Sequence, residues 1–264
     1  MAKRCVVRSG GRSREAAIEI VSAWAVGQRL TLEPQKVPAG TNEITVVPEV
    51  LRQLDLRGCI VTVDALNCQK SIAGQIRRQE ADYVLALKEN HKTLQAEVKE
   101  YLTAVREDRT WGFATATHQT VDGEHGRIET RKYWQATAPD YLSEKAAWPD
   151  LQSVGMVEAT RDVNGQVTTE TRFYLSSLPV RAVEFGRAVR AHWGIENSCH
   201  WVLDVVLRED DCRLRVGNAA ENMSLLRRFA LNLLRREKTE KRGLRIKQLK
   251  AALSLDYLIK VLSS

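Results

Sequence analysis

Between His192 and Asp211 the sequence reads HWGIENSCHWVLDVVLREDD, and no other stretch of the 264 residues gathers as many groups able to do chemistry. Read as a helix, its first half sets His192, Glu196, His200 and Asp204 four residues apart along one drifting face. Trp193, Trp201, Val202 and Val205 would supply apolar surface beside them. A carboxylate on a helix committed to a core is costly unless something pairs with it. The partner that fits best lies far upstream at Asp64, near the end of the apolar run CIVTVDA (residues 59–65), which reads as a strand buried on both faces. A strand-end Asp and a helix Glu are the hard oxygen ligands that a magnesium-dependent phosphoryl-transfer site requires, with phosphate completing the coordination. Each also has a plainer reading. Asp64 could cap the following turn, and Glu196 could face solvent or pair with Arg190.

The His192/Glu196/His200 spacing admits zinc as well, two imidazoles straddling a carboxylate. Helical zinc sites place their ligands at i and i+4, as in HExxH, and that motif is absent. The histidines read better as phosphate contacts or as members of a polar layer. Glu209, Asp210 and Asp211 read as a solvated loop rather than a metal cluster.

The net charge of +7 has a local origin: ten Lys/Arg stand against two Glu between Arg227 and Lys250, a surplus of +8. That exceeds what solubility needs and points to a polyanion, nucleic acid ahead of a membrane surface. Arg227, Arg228, Arg235 and Arg236 are the candidates for phosphate contacts. The stretch HGRIETR alternates His125, Arg127, Glu129 and Arg131 on one strand face. It is either a cross-strand ion-pair ladder or a DNA-facing surface.

These residues need a scaffold, and the pattern supplies one. Residues 17–26 and 29–37 read as a hairpin around Gly27-Gln28, followed by a helix over 42–54 with Asn42 as its cap. The strand at 59–65, a helix over 67–80 and a buried strand at 82–87 make a parallel pair. Ligands in such sheets sit beyond the carboxyl ends of the strands, where Asp64 lies. A helix over 93–107 leads into a β-rich stretch, 111–176, with Asp122-Gly123 and Asn164-Gly165 as expected hairpin turns. After Pro179 the chain turns helical. A further helix starts at Asn218, with Glu221 closing a capping box and Met223, Leu226, Ala230 and Leu233 as its apolar stripe. The expected division is 1–110, 111–178 and 179–264, an α/β core with a β-rich insertion and a basic helical C-terminal segment.

Five cysteines without a CxxC pair, and no secretory signal, fit reduced thiols in a cytoplasmic protein. No apolar run approaches the roughly 20 residues a membrane span takes, so no membrane partner is expected.

Together VTVDALNCQKSIA, ADYVLALKENH, HGRIETRKYW and HWGIENSCHWVLDVVLREDDCRLRVGNAAENMSLLRRFALNLL closely resemble bacterial insertion-sequence transposases of the DDE type, in the group associated with H-repeat elements. The likeness runs from about residue 15 to the C-terminus. It implies an RNase H-like mixed-sheet core with the β-rich stretch inserted between the second and third acidic residues, Asp64 and Glu196. It further implies Mg²⁺ or Mn²⁺ on Asp64 and Glu196, and transposon-end and target DNA as partners. A homo-oligomer is also compatible with it. The reaction would be hydrolysis at transposon ends, then attack of the freed 3′-hydroxyl on target DNA.

The sequence departs from that pattern in two places. The family's first catalytic Asp precedes the VSAW-like segment, and counting back from Val21 puts it at or before Met1; no Asp occurs before Asp55. MAKRCVVRSGG therefore reads as a late or frame-disturbed start, with the first core strand missing, an open sheet edge and activity crippled. Of the upstream carboxylates Glu15, Glu19, Glu33 and Glu43, none is positioned by the sequence as a substitute. Related transposases also carry an Arg four residues before the Glu and a Lys seven after, where this chain has His192 and Leu203. Three functions stand open at this point: an inactive truncated transposase, an active enzyme using another carboxylate, and a DNA-binding remnant able to inhibit a full-length relative.

Overall fold

The computed structural model describes residues 3–10, 19–38, 40–109, 112–124, 127–214 and 216–264. In chain order its strands are β1 (Lys3–Gly10), β2 (Ile20–Ala25), β3 (Leu30–Lys36), β4 (Cys59–Val63), β5 (Asp82–Leu87), β6 (Thr115–Glu124), β7 (Arg127–Thr137), β8 (Ser153–Val163) and β9 (Gln166–Ser176). The helices are α1 (Glu43–Arg52), α2 (Lys70–Arg78), α3 (Lys92–Arg106), α4 (Ala182–Ile195), α5 (Ala219–Arg236), α6 (Leu244–Leu253) and α7 (Leu255–Leu262). Two compact units emerge: Met1–Arg4 with Asp55–His192, and Cys5–Leu54 with Trp193–Ser264. The fold is α/β. Its element order, an antiparallel three-strand meander followed by a parallel pair joined through a helix, is that of an RNase H-like core.

The first unit holds a mixed six-stranded sheet in the order β4-β5-β9-β8-β7-β6. Only β4 and β5 run parallel, paired from Ile60↔Asp82 to Val63↔Leu85. Every residue of β4 is buried, as its unbroken apolar run requires of a strand covered on both faces. The β-rich stretch continues this sheet, because β9 pairs antiparallel with β5 from Val84↔Ser176 to Leu87↔Phe173. Asn164 and Gly165 join β8 to β9 with φ of 53° and 84°, the two left-handed positions that a type I′ hairpin turn demands. Asp122-Gly123 is not a turn. Both sit inside the β6/β7 ladder opposite Glu129 and Ile128, and the connection falls at residues 125–126, outside the described residues. Asp122 is held there by ion pairs to Arg131 (2.6 Å) and Arg190 (2.9 Å).

Helix α4 lies on this sheet. Its Phe185, Ala188 and Val189 share one buried cluster with Ile60, Val84, Tyr133, Val157 and Tyr174. The close approach depends on two glycines. A Cβ on Gly155 of β8 would come within 2.3 Å of the Phe185 ring, and one on Gly186 of α4 within 3.2 Å of Tyr133.

In the second unit β1, β2 and β3 form the antiparallel meander. A strand therefore stands ahead of the hairpin, paired from Cys5↔Ala25 to Gly10↔Ile20, and the edge of β2 expected to be open is covered. The sequence concealed β1 because three of the eight residues in KRCVVRSG are basic and its apolar residues are bunched rather than alternating. Helix α1 begins where expected, with the Asn42 side chain accepting a hydrogen bond from Ile44 N at 3.2 Å. Helix α5 starts at its expected position, but Asn218 makes no side-chain cap bond, so the capping box does not form. Its buried face is also rotated from the expected stripe: Ala220, Ser224, Arg228, Leu231, Leu233 and Leu234 face inward while Leu226 is exposed.

Candidate active site

Asp64 lies immediately past the end of β4, half-buried, in a loop that runs to α2. Its Oδ1 accepts two hydrogen bonds from Asn67, from the backbone N at 3.2 Å and from Nδ2 at 3.0 Å. Among the described residues its Oδ2 accepts none. The loop is fixed from the far side by the segment after β5. Asn90 Nδ2 donates to Ala65 O at 2.9 Å, and His91 Nε2 donates to Cys68 O at 2.8 Å. Because β4 and β5 are parallel, both loops emerge at the same end of the sheet, which is where the strand-end reading placed a ligand site. Burial, reinforced by the Asp64 carboxylate, raises the Cys68 thiol far above its ordinary range.

The helix face expected at His192 is present but changes pitch. His192 is buried and its Nδ1 lies 3.1 Å from Thr62 Oγ1 on β4, so it belongs to a polar layer rather than an open zinc site. From Glu196 the α-helix gives way to two π-helical turns, Glu196–His200 and Val202–Val206. A four-residue step overshoots one α-turn of 3.6 residues but falls short of one wider π-turn, so the drift of the face reverses at Glu196. Such π-turns recur at functional sites. The side chain of Glu196 is outside the described residues. Within its own unit His200 is buried, Val202 is buried, and Trp193, Trp201 and Val205 are exposed rather than packed. Among the described residues no three His, Cys, Asp or Glu side chains gather as a metal cluster. Asp64 nonetheless suits a hard divalent cation: a carboxylate anchored through one oxygen, with the other unengaged among the described residues.

The basic segment looks different in three dimensions. Arg228 is 3% exposed and pairs with Glu209 Oε1 at 2.7 Å, which also accepts from Ser224 Oγ at 2.6 Å. It cannot reach a phosphate, and Glu209 is its counterion rather than a solvated loop residue. Arg227 donates to Leu207 O at 3.0 Å, and Arg235 lies over the Trp24 ring at 4.6 Å while donating to Arg29 O and Ser198 O. These two side chains are tied to main-chain carbonyls. Arg236 is exposed. Lys247 is buried among Leu234 O, Glu237 O and the Glu237 carboxylate, while Arg242 and Lys250 pair with Glu240. Much of the surplus is thus consumed internally.

On β7 the ion pairs of HGRIETR run mostly along the strand rather than across it, with Arg131–Asp122 the cross-strand pair among the described residues. Arg131 bridges Asp122 and Glu129, and Arg127 pairs with Glu129 at 2.7 Å; His125 is outside the described residues. Sequence reasoning missed Asn67, Thr62, Asn90 and His91. An Asp followed three residues later by Asn is a recognisable turn signature, but a buried Thr against a histidine 130 positions away leaves no local trace.

A transposase DDE domain family model matches residues 7–233 of the chain. The H repeat-associated "putative transposase YhhI" of Escherichia coli K12 is 37% identical over 257 residues, covering 95% of this chain and 67% of that protein. "Putative transposase YncI" of Escherichia coli O157:H7 is 38% identical over 255 residues, covering 95% and 65%. The chain thus spans about two thirds of the length of these relatives. Among solved structures, the piggyBac transposase synaptic complex with hairpin DNA is similar at a TM-score of 0.49 and 11% identity, over 99% of this chain and 54% of that one. None of the described helices is long and apolar enough to cross a membrane. Carrying that domain over most of its length, this chain belongs to the DDE transposase family.

Proposed function

We propose that this chain is the catalytic body of a DNA transposase in which Asp64 and Glu196 converge to hold divalent cations over a phosphodiester. A ladder between β4 and α4 carries this reading. Ile60 shares a cluster with Ala188 and Val189, and Thr62 is hydrogen-bonded to His192. Two residues of strand advance about 6.6 Å and four residues of helix about 6 Å, so the two rows keep pace. In the chain, Asp64 follows Thr62 by two residues and Glu196 follows His192 by four. Mg²⁺ or Mn²⁺ bound there would act as a Lewis acid on the scissile phosphate. Asp64 and Glu196 would hold it, Asn67 would orient Asp64, and the buried His192 would fix α4 against β4.

A second reading, a transposase body that has lost its activity and persists as a DNA-binding remnant, is supported by one observation: β1, the strand that leads the meander, contains neither Asp nor Glu. Losing a ligand that bridges two metals commonly costs several kcal/mol in the barrier, on the order of 10³-fold or more in rate. The expected result with Mg²⁺ and insertion-sequence-end DNA is binding without cleavage. Affinity should fall steeply between about 50 and 200 mM salt. Arg236→Ala should lower that salt slope by about 1, whereas the buried Arg228 makes no phosphate contact. Strand cleavage that disappears in Asp64→Asn would refute the loss of activity, and absence of salt-dependent DNA binding would remove the remnant reading as well.

A further inference from the structure

We infer that Asn67 is a positioning residue for the proposed metal site, fixing which oxygen of Asp64 is presented to a cation; this rests on the reading of Asp64 as a ligand. Asn67 is fully buried, and both its donors go to the same acceptor, Asp64 Oδ1. A turn capped by Asp64 needs only the main-chain bond. The second bond, from Nδ2, adds no turn closure; it pins the carboxylate against rotation and leaves Oδ2 as the oxygen without a partner among the described residues.

This arrangement has an energetic cost that loop stability does not explain. The amide oxygen of Asn67 is buried without a hydrogen-bond partner among the described residues. A buried acceptor left unpaired forfeits its hydration without a replacement bond. Turning the amide over would set that oxygen against a carboxylate oxygen, so Asp64 dictates its orientation. The loop, meanwhile, is secured independently by Asn90 on Ala65 O, His91 on Cys68 O, and Cys68 N on Ala65 O at 3.2 Å. Outer groups that orient a ligand carboxylate commonly change metal affinity by about 10–100-fold when removed.

The test is a Mn²⁺ titration of the full chain, followed by the electron paramagnetic resonance signal of unbound Mn²⁺, beside thermal unfolding in metal-free solution. Asn67→Ala and Asn67→Leu (the second close in volume but without donors) should each weaken Mn²⁺ binding about 10-fold or more. At least one should retain the metal-free unfolding midpoint, since the loop's other bonds remain. If Asp64→Asn abolishes binding while a folded Asn67 variant binds like the parent, the inference fails and the ligand reading survives. If Asp64→Asn itself binds like the parent, Asp64 is not a ligand and both fall.

Discussion

Gly155→Ala is expected to destabilise the first unit by about 3 kcal/mol, the upper part of the usual range for overpacking a dense core. The added methyl carbon would sit 2.3 Å from Phe185 Cζ, with the two ring carbons beside it at 2.7 and 2.8 Å. Phe185 is fully buried and held edge-to-face by Tyr174 at 5.5 Å and Tyr133 at 6.4 Å, so its ring has no open side to move toward. Strain must pass to the backbone of α4 or β8. The consequence reaches the proposed site, because α4 carries His192 and leads into Glu196. Urea unfolding monitored by circular dichroism measures the loss. Phe185→Leu in the Gly155→Ala background should recover part of it, giving a coupling energy on the order of 1 kcal/mol. A Gly155→Ala protein as stable as the parent would mean that the helix does not rest on the sheet as closely as described.

Glu237→Ala is expected to cost more, about 3–5 kcal/mol, because it leaves a buried cation and several donors without their acceptor. Glu237 ends α5 and is 3% exposed. Its carboxylate accepts from Tyr257 OH at 2.7 Å, from Thr239 N at 2.5 Å, from the Thr239 hydroxyl and from Glu240 N at 3.3 Å. Lys247 Nζ lies 3.5 Å away. One side chain thus ties α5, α6 and α7 together beside the apolar contacts of Leu233, Leu234, Tyr257 and Val261. Burial alone would raise the Glu237 pKa. The Thr239 and Tyr257 hydroxyls and the two backbone N–H groups outweigh burial and hold it at about 2, below the ordinary 4.5. The folded pKa is depressed, so the stabilisation is present above about pH 4.5 and disappears as pH falls toward about 2. Glu237→Gln should remove that acid-dependent component and place an amide donor against groups that already donate. Thermal unfolding at pH 7, 4 and 3 reads both effects: the gap between parent and Gln variant should narrow as the solution is acidified. A gap that stays constant would show that the carboxylate is not the acceptor at the centre of this junction.

Periodicity and turn chemistry determined much of this protein by themselves. The hairpin of β2 and β3, the Asn42 cap, the buried parallel pair β4 and β5, the Asn164-Gly165 turn and the position of Asp64 at a strand end all follow from local rules. Those rules act over a few residues: a side chain's alternation, a left-handed φ, a missing N–H partner. The family was equally legible, since its motifs are contiguous. What the tertiary structure alone decided is where charge ends up. Counting ten cations in the basic segment cannot show that Arg228 turns inward to Glu209, that Lys247 is buried on carbonyls, or that Arg235 lies on Trp24, because each partner is distant in sequence or on another face of a helix. The strand β1 was hidden for a related reason: its pairing with β2 satisfies a backbone that its own side chains do not advertise as a strand. Asn67 beside Asp64 and Thr62 beside His192 were decided in the same way, by burial that makes a polar group find a partner wherever the fold brings one within reach.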